Sequence, residues 1–215
     1  MRLKILFILL FTCLTSFGQG SFYEMAATLA ASSSSSPIIV TDFTKSGNHD
    51  AEQTGGGLVT ASSDLELNNG GSASWVGLYF DNLNIPAGAT INYARVSFAS
   101  QKTETATPVS VTIYGNAVAN PQAFSVGTWD IYNRALTTAS VAWSNIPAWT
   151  IGERSSDTET PDIKTIIQEI VDAGYYTQGD AIVILFKPGG GSVRRRGHDY
   201  NVTIEAPTIE ISYTL

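Results

Sequence analysis

From Ile38 to the C-terminus the sequence is a succession of short runs rich in β-branched and aromatic residues, each closed by turn formers. A chain patterned this way folds as short strands that pair and stack so that at least one face of each is covered. The runs are Ile38–Val40, Leu58–Val59, Leu65–Leu67, Trp75–Phe80, Ile91–Phe98, Val109–Tyr114, Ala139–Trp143, Ala181–Phe186, Val202–Ile204 and Ile209–Leu215. Asn69-Gly70-Gly71, Pro86-Ala87-Gly88 and Pro188-Gly189-Gly190-Gly191 stand between them as turns. Several runs alternate, with Ala94, Val96 and Phe98 facing one way and Tyr93, Arg95 and Ser97 the other. One segment departs from this period. Ile163, Ile166, Ile167, Ile170 and Val171 recur at helical spacing, behind Thr160 as N-cap, Pro161 at the first position and Asp162 in the first turn. Gly174 is the stop. The pattern predicts an all-β fold, a jelly-roll β-sandwich with one short α-helix.

The N-terminus reads differently. Arg2 and Lys4 precede a run from Ile5 to Leu14 that is apolar apart from Thr12, and Thr15, Ser16 and Gly18 follow. That is the layout of a secretory signal peptide over residues 1–18. Cys13 offers a second reading, a lipoprotein signal, but the bulky Phe11 sits where that signal prefers small residues. Residues 19–37 form a lead-in whose Ser32–Ser36 run is a flexible tether and whose Phe22, Tyr23, Met25 and Leu29 form an apolar patch. The sandwich domain then spans 38–215. The expected location is outside the cell, secreted or at the surface, with no membrane span because no apolar run reaches about 20 residues. The formal charge of −7 argues against nucleic acid as a partner.

Catalytic machinery is not evident. His49 and His198 are the two histidines, and no H-E-x-x-H, P-loop, dinucleotide fingerprint or G-x-S-x-G occurs. Phe186-Lys187-Pro188-Gly189 matches only the start of the F-K-A-G-x-Y-N-Q strand of one alginate lyase family. The expectation is a protein that is not an enzyme.

Two charged clusters invite a chemical reading. Asp50 and Glu52 lie in N-H-D-A-E, and Asp64 and Glu66 in S-S-D-L-E-L. Residues two apart on a strand share a face, so Asp64 and Glu66 project together. Four carboxylates gathered in one place need a cation, and a structural calcium would serve. Arg or Lys partners, or solvation, would serve equally. The basic cluster is Arg194-Arg195-Arg196, with Lys187 before it and Tyr200 after. Arg194 and Arg196 share a face. Guanidinium groups grip carboxylates bidentately, so an acidic sugar held by Lys187, Arg194 and Arg196, with Tyr200 stacking, is one use. Pairing of at least one Arg with an internal acid is the other. Trp75 is expected in the core, while Trp129, Trp143 and Trp149 are either core or a sugar platform. Asn201-Val202-Thr203 matches the glycosylation sequon.

The order S-S-D-L-E-L, W-V-G-L-Y-F-D-N-L-N-I-P-A-G-A-T-I, R-A-L-T-T-A-S-V-A-W-S-N-I-P-A-W-T-I-G-E, T-P-D-I-K-T-I-I-Q-E-I-V, V-R-R-R-G-H-D-Y and A-P-T-I-E-I-S-Y resembles the DNRLRE-type modules, which are similar to carbohydrate-binding module family 96. The resemblance runs from about Asp50 to Tyr213. It implies a jelly-roll sandwich of extracellular bacterial proteins that binds an acidic, alginate-like polysaccharide without catalysis. Tyr79 stands where the pattern often has Arg. Such modules usually sit beside an enzyme, and none accompanies the module within these residues. A structural, adhesive or self-assembling surface subunit is therefore the second expectation.

Overall fold

The computed structural model describes residues 36–215, apart from 61, 70–73, 127–128 and 203. The expected signal peptide, most of the lead-in and Cys13 lie outside the described residues. The strands are β1 (Ile38–Phe43), β2 (Asp50–Thr54), β3 (Gly57–Val59), β4 (Asp64–Leu67), β5 (Trp75–Phe80), β6 (Thr90–Ser97), β7 (Val111–Asn116), β8 (Leu136–Trp143), β9 (Ile182–Pro188), β10 (Arg195–His198) and β11 (Thr208–Thr214). The helices are α1 (Asp130–Asn133) and α2 (Lys164–Asp172). Among the described residues, no helix is long and apolar enough to cross a membrane.

The strands form two layers. One is a six-stranded antiparallel sheet in the order β3-β2-β5-β9-β7-β8. The other joins the sheet β1-β11-β6 to the pair β10-β4. The join lies just past β6, where His198 N–H donates to Ala99 O and Gln101 N–H to Arg196 O, each at 2.9 Å. β10 thus pairs with the β6 chain beyond its partner β11. The outer edge of β6 is closed by the segment 152–163, through bonds to the N–H groups of Ala94, Val96, Phe98 and Ser100. The edge of β8 is capped by Glu169 of α2, whose carboxylate accepts the N–H groups of Thr138 and Ala139.

The main core fills the space between the layers. Val76, Leu78 and Phe80 of β5 and Ile182, Ile184 and Phe186 of β9 meet Val96, Ile209, Ile211, Leu65 and Leu67. The Phe98 ring lies 6.3, 6.0 and 5.5 Å from those of Trp143, Trp149 and Phe186. The α2 face of Ile166, Ile167, Ile170 and Val171 enters the same core. The protein is the all-β sandwich that its period-2 runs predict, and α2 is the helix expected from the isoleucine spacing.

A smaller core covers the outer face of the six-stranded sheet. Ala51, Leu58, Val183 and Leu185 pack there under Phe124 and Ile131. With both faces covered, β9 is buried continuously from Ile182 to Phe186 instead of alternating. Gly77 of β5 lets Phe124 approach the sheet, since a Cβ at this position would lie 2.4 Å from the Phe124 ring. Gly77→Ala is expected to cost about 1–3 kcal/mol through overpacking, read as a lower thermal midpoint.

The structure corrects three local expectations. Thr160 does not cap the helix. Its N–H donates to Val96 O and its hydroxyl accepts the Val96 N–H, so it extends the sheet, and Asp162 instead accepts the Lys164 N–H. Val202 and Ile204 lie in turns, with Ile204 88% exposed, not in a strand. Trp75 is half-buried on the outer face, packed against the smaller core rather than placed inside the main one.

Candidate functional site

The basic hairpin divides by strand parity. Antiparallel pairing sets Arg196 opposite Glu66 and His198 opposite Asp64. Arg194 and Arg196 therefore share a face with Asp64 and Glu66. Arg194 Nη1 lies 2.5 Å from Glu66 Oε1, and its Nε lies 3.7 Å from Glu104. Arg196 Nε bonds Glu104 Oε1 at 2.8 Å, and its Nη1 is 3.9 Å from Asp64. Three carboxylates thus surround two guanidiniums, and the cluster offers no surplus positive charge to an anionic ligand. Burial pushes the Glu66 carboxyl up, against the pull of Arg194. An open cleft of ~450 Å³ borders this cluster, lined by Asn69, Glu104, Thr105, Ser192 and Arg194 among others.

Arg195 points the other way and is fully buried. It donates to four carbonyls: Nε to Pro147 at 2.5 Å, Nη1 to Ala106 at 2.9 Å and to Arg194 at 2.8 Å, and Nη2 to Ile146 at 3.2 Å. This is a structural role.

The four carboxylates considered for calcium do not converge. Asp64 and Glu66 face the arginines. Asp50 and Glu52 occupy alternate positions of β2 and are buried. Glu52 Oε1 accepts the Glu66 N–H at 2.6 Å, and burial, reinforced by repulsion from Glu66 and Asp64, pushes its carboxyl up to about 7. Asp50 Oδ2 accepts the Tyr200 N–H at 2.9 Å, and burial, then repulsion from Asp199, pushes it up to about 7 as well. Among the described residues no three His, Cys, Asp or Glu side chains are grouped to hold a metal.

The expected sugar contacts are likewise not gathered. The Tyr200 hydroxyl lies over Gly47. Lys187 has the parity of Val183 and Leu185 on β9, so it stands on the outer face of the six-stranded sheet. Its ammonium lies 5.6 Å from the centre of the Trp75 ring. From there the aromatics continue in a row. Tyr132 meets Trp75 edge-on at 5.9 Å, and Trp129 stacks on Tyr132 at 5.8 Å with 24° between planes. Trp129 is 47% and Tyr132 38% exposed, and Lys187 is exposed. Tyr132 is fixed to β2 at both ends, its N–H donating to Gln53 Oε1 and its hydroxyl to Gln53 O, each at 3.1 Å. Trp143 and Trp149 take the core reading, at 5% and 0% exposure. Tyr132 carried no signal in the sequence, because the four-residue α1 that presents it has no readable period.

The fold and this site define a class: an all-β sandwich with an exposed aromatic row on one layer and a self-neutralised basic hairpin on the other. The chain matches no known family in a scan of family patterns, and no curated protein matches its sequence.

Proposed function

We propose that this chain is an exported, non-catalytic polysaccharide-binding module that holds an acidic glycan on the outer face of its six-stranded sheet. The observation that carries the reading is the row Trp129–Tyr132–Trp75–Lys187. The C–H faces of sugar rings pack on exposed indole and phenol rings. Lys187 has no ion pair among the described residues, so its ammonium is open to a sugar carboxylate, whereas Arg194 and Arg196 already face acids. The resemblance to DNRLRE-type modules favours the same ligand class, and the N-terminal pattern favours export.

Affinity electrophoresis through gels containing a polyuronate or a neutral glucan tests this. Retardation is expected in the polyuronate gel, weakened by salt. Lys187→Ala is expected to lose roughly tenfold in affinity, about 1.4 kcal/mol. Unretarded migration in the polyuronate gel counts against the reading.

A second reading, a self-assembling or adhesive surface subunit, is favoured by β1. This strand lies at the edge of its sheet and exposes Ile38 at 42% and Ile39 at 57%. An apolar edge strand accepts a strand from another chain. Light scattering is expected to show oligomers that Ile39→Lys dissolves, and a monomeric wild type rejects this reading.

A further inference from the structure

We propose that this chain forms a closed two-fold dimer by pairing β1 with β1 of a second copy, antiparallel about Thr41. The dimer deepens the self-assembly reading, on which it rests, and needs nothing from the glycan reading.

An open sheet edge is a template for another chain, and folded proteins block such edges by recognisable devices. Among the described residues every edge but one carries such a device. β3 is only three residues long. β8 slips register against β7, and the Glu169 carboxylate takes its Thr138 and Ala139 N–H groups. β6 is covered by the segment 152–163. On β4, the Glu52 carboxylate from the opposite layer takes the Glu66 N–H at 2.6 Å. β1 differs. It runs for six residues in unbroken register with β11, carries no Lys, Arg or Pro, and exposes Ile38, Ile39 and Thr41. Its one acid, Asp42, has the inward parity of Val40. Lys45 and the N–H groups of Asp81 and Asn82 hold it there.

The hydrogen-bonding parity of β1 selects the register. Thr44 N–H donates to Pro207 O at 3.1 Å, continuing the pairing with β11. Residues that bond a given neighbour alternate along an antiparallel strand. Val40 and Asp42 therefore turn their main-chain groups to β11, while Ile39, Thr41 and Phe43 turn theirs to the open edge. A second copy can answer only with its own β1, because its other edges are blocked. With the axis at Thr41, Thr41 meets Thr41 and Ile39 meets Phe43, so every one of these groups is bonded. An axis at Val40 sets Phe43 against Pro37, which has no N–H. An axis at Asp42 sets Ile39 against Lys45, beyond the strand. The Thr41 axis also lays Ile39, 57% exposed, against the half-buried Phe43 on the outer face. A β-branched residue opposite an aromatic is a favourable cross-strand pair, and no charge opposes it on that face. Such a two-fold pairing uses up both open edges, so assembly stops at two chains.

Light scattering of the full chain is expected to give the mass of two chains. Thr41→Lys and Thr41→Glu each set like charges against each other at the axis and are expected to be monomers. Mixed in equal amounts, they are expected to return to the dimer mass. Thr41 is exposed and outside both cores, so both variants keep the fold. A second measurement is cross-linking under mild oxidation in a Cys13→Ser background. Thr41→Cys is expected to form a disulfide dimer, since facing Cα atoms of a hydrogen-bonded pair lie about 5.5 Å apart. Ile39→Cys is not, because it faces Phe43. A monomeric wild type overturns this dimer together with the self-assembly reading. Assemblies larger than two chains, or a dimer that survives both charged variants, overturn the dimer alone.

Discussion

Replacing Arg195 with methionine is expected to lower stability by about 3–5 kcal/mol and the melting midpoint by roughly 10 °C. A buried charged residue is often replaced by an apolar one at little cost, but that holds when the partners are removed with it. Here the partners are main-chain carbonyls of Pro147, Ala106, Ile146 and Arg194, and they remain. Methionine matches the stem of arginine and donates to none of them. Lysine keeps the charge but concentrates its donors at one point, whereas these acceptors surround a planar fork. Arg195→Lys is therefore expected to rescue less than half of the loss. A thermal melt of both variants checks this, and a methionine variant that melts with the wild type contradicts the structural role.

The second large effect is on pH. The protein is expected to be more stable at pH 5 than at pH 8 by several kcal/mol. Asp50 and Glu52 have folded values raised to about 7, above their ordinary 3.8 and 4.5. A raised carboxyl binds its proton more tightly when folded. Its stabilising contribution is thus complete below about pH 4 and is lost as pH rises through about 7. From pH 5 to 8 that amounts to about 2–3 kcal/mol per group. Glu66 and Asp199 shift in the same direction. His49 opposes them, because burial lowers its value and favours the neutral ring, so its share is lost as pH falls below about 6.5. Glu52→Gln keeps an acceptor for the Glu66 N–H and is expected to raise the midpoint at pH 8 while changing it little at pH 5. Denaturant unfolding at the two pH values measures this.

The comparison of sequence with structure turns on which physical constraint left a trace. A strand with one covered face, such as β6, announces itself by alternation, and α2 does so by its isoleucines. β2 does not, because Asp50-Ala51-Glu52-Gln53-Thr54 is polar in composition yet buried almost throughout. Its carboxylates and amide are accommodated by bonds to Glu66, Tyr200 and Tyr132, partners between 14 and 150 residues away. No local pattern records such pairing. For the same reason the sharing of faces by Arg194 and Arg196 was legible, since it needs only period 2, while their acidic neighbour Glu104 was not. Trp75 has the composition of a core residue and the parity of a surface one. Its register beside Gln53 puts it on the outer face, where Val183 and Leu185 lie beneath.

The central claim is that the aromatic row binds sugar. Calorimetric titration of the folded protein with polyuronate oligosaccharides, wild type against Trp129→Ala, tests it most directly. Trp129 is exposed and outside both cores, so its removal is expected to leave the melting midpoint within about 2 °C. Affinity is expected to fall at least tenfold through the lost stacking, worth about 1.4 kcal/mol. Equal affinity in the two proteins, or no binding by the wild type, contradicts the account.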